Sequence, residues 1–264
     1  MTIWSAMLLG LVQGLCEFLP VSSSGHLVLL QNIFRLNEGA LFFDTMLHVG
    51  TLIAVFIVFW EQIWAMILHP FQRKVGMLLL STAVTTAIAF LFRDFIEGSF
   101  GGAFLGIGFL ATAVLLLLSE RARPRHKRIS NMRAGDALLI GLVQGVAILP
   151  GISRSGSTIS GGLFTGLERK EAADFSFLLS IPAILGAVVM QVPDVIASPV
   201  AIDWLPVLAG MAVAAVSGYF AIKAMLKLVA KGKLKGFAYY VVILGVLVLL
   251  DQFVFHLFFA NPLA

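Results

Sequence analysis

The chain has 264 residues, of which 59% are hydrophobic and only 12% charged, and its mean hydropathy is +1.00. Soluble domains carry about 25% charged residues, so a water-soluble core is excluded; long unbroken apolar runs, in place of an alternating pattern, exclude a β-barrel and leave an all-α integral membrane protein. The net charge of +4 sits in short loops, where topology and anionic lipid head groups explain it better than nucleic acid does. The opening residues Met-Thr-Ile-Trp lack a basic segment, so no cleaved signal peptide is expected. Residues 3–35 are apolar but are interrupted by Pro20 and by Ser22-Ser23-Ser24-Gly25. The stretches 41–60, 75–92 and 100–119 are each near the 20 or so apolar residues that a spanning helix needs. A basic loop follows at 120–135, with Arg121, Arg123, Arg125, Lys127, Arg128 and Arg133. Residues 136–167 are again apolar and again interrupted, by Pro150-Gly151 and by Ser153-Arg154-Ser155-Gly156-Ser157. Three further spans are expected at 171–192, 204–230 and 237–259.

The two interrupted stretches share a pattern. Residues 10–25 read GLVQGLCEFLPVSSSG and residues 141–156 read GLVQGVAILPGISRSG, an offset of 131 residues. Each reads as a re-entrant hairpin, a half-helix in and a half-helix back, with returning halves beginning near His26 and Thr158. Irregular backbone at membrane depth survives only where protein or a watery cavity satisfies it. Arg73, Lys74, the 120–135 loop and Lys231, Lys233 and Lys235 all fall on one side, which the positive-inside rule makes cytoplasmic. Phe43–Val55 also aligns with Phe175–Ala187, extending the repeat beyond the hairpins. The expectation is six transmembrane helices plus two re-entrant helical hairpins in an inverted-topology repeat, one membrane domain over 1–264. Its halves are 1–119 and 136–259, joined by the cytoplasmic loop 120–135. Such repeats place a site at the midplane where the hairpin tips meet. Trp60, Trp64, Trp204, Tyr239 and Tyr240 lie near span ends and read as interface anchors.

The copies divide their charged groups. The first has Glu17 and His26, and the second has Arg154. Gly- and Ser-rich turns leading into helix N-termini suit an anion, phosphate above all; the alternative is that they only bend the chain and cap helices. Arginine at membrane depth implies a partner, and its planar fork suits a phosphate or a carboxylate such as Glu17. Gln13 and Glu17 lie one turn apart on a face shared with Gly10 and Gly14. Beside Arg154, Glu17 could act as a base or a metal ligand. His26 could donate to phosphate, protonate a leaving group or cap a helix. Ser22, Ser23 and Ser24 offer a nucleophile or phosphate donors. Asp44 and His48, also one turn apart, extend the site, bind a cation or form a satisfied polar pair. The single cysteine, Cys16, forms no internal disulfide. His69, His126 and His256 carry no signal.

The motifs QxxxE at 13–17, PVSSSGH at 20–26 and PGISRSGST at 150–158 resemble those of the undecaprenyl pyrophosphate phosphatases, the bacitracin-resistance family, over essentially the whole chain. The resemblance implies hydrolysis of undecaprenyl diphosphate to undecaprenyl phosphate and inorganic phosphate, which recycles the lipid carrier for peptidoglycan and other envelope polymers. It implies a multi-pass protein of the bacterial inner membrane whose site opens to the periplasm, and a divalent cation, Mg2+ or Ca2+. It makes Glu17, Ser23, His26 and Arg154 catalytic. Gln13, Ser22, Ser24, Ser153, Ser155 and Thr158 become substrate-binding, and Glu17 a candidate metal ligand. The family takes Glu or Gln at the first motif position; Gln13 here favours a mechanism with one carboxylate. The expected partners are a polyprenyl diphosphate and membrane lipids, with no nucleic acid; a homodimer stays open.

Ser23 with Glu17 as base, or a water activated by Glu17, would attack the terminal phosphorus. A type-2 phosphatidic acid phosphatase shares Ser24-Gly25-His26, but no histidine follows Ser153-Arg154 until His256, and that reading fails. A transporter or flippase of polyprenyl phosphate uses the same architecture and is the alternative from another class.

Overall fold

The computed structural model describes residues 2–34, 40–122, 126–197 and 203–259. The regular elements among them are helical, and the one β-bridge is an isolated pair, Lys127 with Leu167. The first half contains α1 (Ile3–Phe18), α2 (Ser23–Phe34), α3 (Ala40–Val58), α4 (Trp60–Leu68), α5 (Arg73–Leu91), α6 (Arg93–Ser99) and α7 (Leu105–Glu120). The second contains α8 (Ala134–Val146), α9 (Arg154–Phe164), α10 (Arg169–Ala197), α11 (Trp204–Ala230) and α12 (Lys235–Leu250), which a π-helical turn extends through Asp251–Phe255. Local chemistry sets several ends. Thr2 and Ser5 exchange hydrogen bonds in a capping box that opens α1. Leu19, just past its end, is held extended as a residue before proline should be.

Among the described residues four helices are long and apolar enough to cross a membrane: Arg73–Leu91, Arg169–Met190, Trp204–Ala230 and Lys235–Phe255. A fifth is reached if α3 and α4 count together, although they bend by 82° at their junction. The chain is therefore a multi-pass, all-helical membrane protein. Two expected spans differ from the sequence reading. The 41–60 stretch ends at the Phe59 bend, beyond which α4 carries Trp60 and Trp64 as an exposed stacked pair. The 100–119 stretch yields only the 16 residues of α7, because the chain turns through Gly102 at φ +92° before the helix starts. Sixteen residues reach about 24 Å, short of a hydrocarbon core of about 30 Å.

Glycines let helices approach closely. On α1, Gly10 lies against the Gly210 backbone and Gly14 against Ala214 and Ser217 of α11. On α8, Gly141 lies against Ser81 and Gly145 against Ile88 of α5. α7 packs on α12 through Gly106 and Gly245, while α3 lies between α10 and α11. Phe177 of α10 meets Phe18 edge-on at 5.5 Å and Phe59 at 6.2 Å, tying the end of α1 to the largest buried cluster. Arg123 and Arg125 of the basic loop lie outside the described residues. Elsewhere in that loop Lys127 pairs with Asp136, and Arg73 donates to the carbonyl of Met132 at 2.7 Å.

Candidate active site

The first turn follows from α1. Gln13 and Glu17, both buried, lie one turn apart on the helix face that also carries Gly10 and Gly14. After Pro20 the chain passes through Ser22 at φ +69°, a left-handed conformation rare for a residue with a side chain. The Ser22 hydroxyl accepts the Gly25 N–H at 3.2 Å, so α2 starts at Ser23, three residues before the expected start near His26.

The second turn repeats this logic. Gly151 has φ +88°, and a Cβ there would meet the carbonyl oxygen of Leu105 at 2.5 Å, so only glycine fits. The Ser153 hydroxyl accepts the Gly156 N–H at 3.0 Å, and α9 starts at Arg154 and not near Thr158. In both turns a serine cap recruits residues that the sequence assigns to the turn itself. Thr112 of α7 braces this turn, donating to the Gly151 carbonyl and accepting the Ser153 N–H, each at 2.9 Å.

The two turns touch. Ser155 donates to the carbonyl of Leu19 at 3.1 Å, and Gly25 sits so close to Gly151 that a Cβ would lie 3.0 Å from its Cα. Glu17, 5% exposed, is the centre of the contact. Its Oε1 accepts Arg154 Nη2 at 2.5 Å. Its Oε2 accepts Ser23 Oγ at 2.6 Å and Gln13 Nε2 at 3.0 Å, and faces His48 Nε2 at 3.4 Å. Arg154 Nη1 donates to the Ser176 carbonyl at 3.1 Å. A hydroxyl hydrogen-bonded to a carboxylate is the arrangement of an activated nucleophile and its base. Gln13 Oε1 is buried with no hydrogen-bond partner among the described residues, an acceptor left for water or ligand.

Other candidates are committed elsewhere. Thr158 Oγ1 donates to the Arg154 carbonyl at 2.9 Å and lies 2.5 Å from Ser176 Oγ. Ser24, half-buried, lies 3.4 Å from Ser22 Oγ. His26 engages the Ser22 carbonyl through Nδ1 and the Tyr240 hydroxyl through Nε2. Of the Asp44 and His48 pair only the imidazole reaches the site: His48 Nδ1 donates to the Asp44 carbonyl at 2.7 Å, while the Asp44 carboxylate takes Gln31 Nε2 at 2.7 Å. Thr112, Ser176 and Tyr240 were not singled out by sequence as site residues. The two hydroxyls sit inside apolar runs with no spacing to mark them, and Tyr240 lies where an interface anchor would.

The donors present do not fit a resident divalent cation. Hard cations need several oxygen ligands, and Glu17 is the one carboxylate of this centre, with both oxygens engaged by Arg154, Ser23 and Gln13. No group of three His, Cys, Asp or Glu side chains able to hold a metal occurs among the described residues.

A multi-pass helical protein in which two capped turns meet and bury a hydroxyl, a carboxylate and a guanidinium together defines the class: a membrane protein with a composite polar centre. The family model of the bacitracin resistance protein BacA matches residues 6–247, and the chain belongs to that family. It is 49% identical over 256 residues to the undecaprenyl-diphosphatase of Carboxydothermus hydrogenoformans, covering 96% of this chain and 98% of that one. It is 43% identical over 250 residues to undecaprenyl-diphosphatase 3 of Bacillus cereus, covering 94% and 96%. It is 41% identical over 271 residues to the undecaprenyl-diphosphatase of Methanosphaera stadtmanae, covering 94% and 97%.

Proposed function

We propose that this chain hydrolyses undecaprenyl diphosphate to undecaprenyl phosphate and inorganic phosphate, recycling the carrier lipid for peptidoglycan and envelope synthesis. The observation that carries the reading is the line Ser23–Glu17–Arg154, which joins a nucleophile, a base and a phosphate-binding fork across the two turns. The family and the relatives' names point to the same substrate.

The diphosphate head enters between the turns while the prenyl chain stays in lipid. Arg154 and the N-termini of α2 and α9 bear on its charge. Ser23 Oγ bonds to the terminal phosphorus as the anhydride P–O bond breaks, and its proton passes to Glu17 Oε2. Undecaprenyl phosphate leaves. As water attacks the phosphoserine, Glu17 returns the first proton to the departing Ser23 Oγ and takes one from the water, which it releases to solvent once inorganic phosphate has left. Positioning and electrostatic stabilisation carry most of such a reaction. A magnesium or calcium requirement belongs to the diphosphate oxygens and not to a protein-held ion.

The proposed architecture has six spans, with α3–α4, α5, α7 together with the turn through Gly102 that precedes it, α10, α11 and α12 crossing and the pairs α1–α2 and α8–α9 as re-entrant hairpins, in inverted repeats over 1–119 and 136–259. Its support is an exchange of contacts: α1 packs along α11 as α8 packs along α5, and α3 meets α11 as α10 meets α5. The basic loops then face the cytoplasm of a bacterial inner membrane, with the site open to the periplasm. Phosphate release from undecaprenyl diphosphate by purified protein in detergent, with and without chelator, tests the reading. A flippase without hydrolase activity releases none.

A further inference from the structure

Both ring nitrogens of His26 are committed. Nδ1 lies 2.7 Å from the Ser22 carbonyl oxygen, and a carbonyl only accepts, so Nδ1 carries a hydrogen. In the neutral ring Nε2 is then an acceptor, and the hydroxyl 2.8 Å away, that of Tyr240, donates to it. The two rings stack at 5.7 Å with 13° between their planes, and Phe109 meets His26 edge-on at 5.5 Å. The imidazole is therefore held by orientation-specific contacts from α7 and α12 and is not free to turn toward substrate.

What it holds is the strained point of the first turn. Ser22 is the residue at φ +69°, its hydroxyl caps α2, and the next residue is Ser23. Left-handed backbone at a residue with a side chain persists where its surroundings over-determine it, and such residues cluster at functional sites. Here the Ser22 carbonyl is held twice, by the backbone N–H of His26 at 3.1 Å and by a line of hydrogen bonds from Tyr240 through the imidazole. Tyr240 is exposed over much of its ring, as its neighbour Tyr239 is, and what sets it apart is the hydroxyl that reaches His26.

We propose that Tyr240 is a positioning residue of the first turn: its hydroxyl fixes the Nδ1–H tautomer of His26, which clamps the Ser22 carbonyl and so aims Ser23 at Glu17. The inference rests on reading that turn as the seat of the nucleophile. It gives α12, at the opposite end of the chain, a part in aligning the first turn.

The test uses the whole protein in detergent with nitrogen-15-labelled histidine, His26 being assigned by the loss of its signals in His26→Gln. At about pH 8, where unperturbed imidazoles are neutral, His26 is expected to show a protonated Nδ1 and an unprotonated, hydrogen-bonded Nε2. Tyr240→Phe keeps the stacked ring and removes the donor. The Nε2 signal should shift to that of a free lone pair, and kcat for phosphate release should fall about three- to tenfold, the worth of one neutral hydrogen bond. KM should stay within about twofold, because alignment of the nucleophile acts on the chemical step. An Nε2–H tautomer in the wild type, or a Tyr240→Phe protein with Nε2 signal and kcat both unchanged, would overturn the proposal. The tautomer reports on the Tyr240–His26 pairing whether or not the chain is a phosphatase; a wild-type protein that releases no phosphate counts against the functional reading alone.

Discussion

The turn after α1 and the turn after α8 are built from nearly the same residues and are held differently. Each is capped by a serine, and each contains one residue with positive φ: Ser22 in the first, Gly151 in the second. Glycine takes that conformation without strain, so the second turn needs no clamp and is braced by Thr112 on backbone groups alone. The first turn spends a serine there and is held through His26 and Tyr240. The second turn contributes one reaching side chain, Arg154, while its hydroxyls at Ser153, Ser155 and Thr158 are tied to backbone and to Ser176. The first contributes Glu17 and Ser23, paired with each other. A duplicated element has thus been divided into a turn that carries the proposed chemistry and a turn that presents an arginine from a rigid base.

That division predicts where substitutions register. Glu17→Gln and Ser23→Ala should lower phosphate release by about 10³-fold or more, since they remove the proposed base and nucleophile. Rapid-quench trapping of a phosphoserine, lost in Ser23→Ala, checks the assignment; hydrolysis by the wild type without any trapped phosphoserine would transfer the attack to water. Arg154→Lys keeps the charge and loses the fork, and about a 10²-fold loss is expected in the same assay. Wild-type activity there would mean that the second turn presents only charge.

Smaller effects should appear as stability. On the helix that carries Glu17, Gly14→Ala puts a methyl group onto Ser217 and the Ala214 carbonyl, and should destabilise by about 1–3 kcal/mol in thermal unfolding. Gly135→Ala, with nothing within 4 Å of the added carbon, is its control and should change stability by less than about 0.5 kcal/mol in that direction. Thr112→Val leaves the Ser153 N–H without its partner, costing about 1–3 kcal/mol of stability with much less effect on turnover. A large loss of turnover without loss of stability would instead make Thr112 or the Ser153 N–H a direct participant.

Much of this was readable from the chain because the duplicated motif is long and its interruptions fall inside apolar runs. Proline and clustered serines announce a break in a helix wherever they occur, and the unequal charges of the copies, Glu17 against Arg154, announce a partnership. The helix starts were misplaced by about a turn because Ser22 and Ser153 act as caps, a role that depends on which amide they meet. The Phe59 bend and the short α7 were hidden, since hydropathy measures apolar length and not direction. Thr112 and Ser176 left no pattern because a lone hydroxyl in an apolar span is usually satisfied by its own helix. Tyr240 was read from its place in the span, while its partner, His26, lies 214 residues away.

The central claim is that the site exists only where the two turns meet, so Glu17 and Arg154 should act as one unit. Phosphate release by Glu17→Gln, Arg154→Lys and the double variant, each confirmed as folded, tests this most directly. Groups that act together are strongly non-additive. The account predicts that the double variant is no worse than the weaker of the two single variants, within about threefold. Losses that multiply would contradict it, because they would show two independent sites of action.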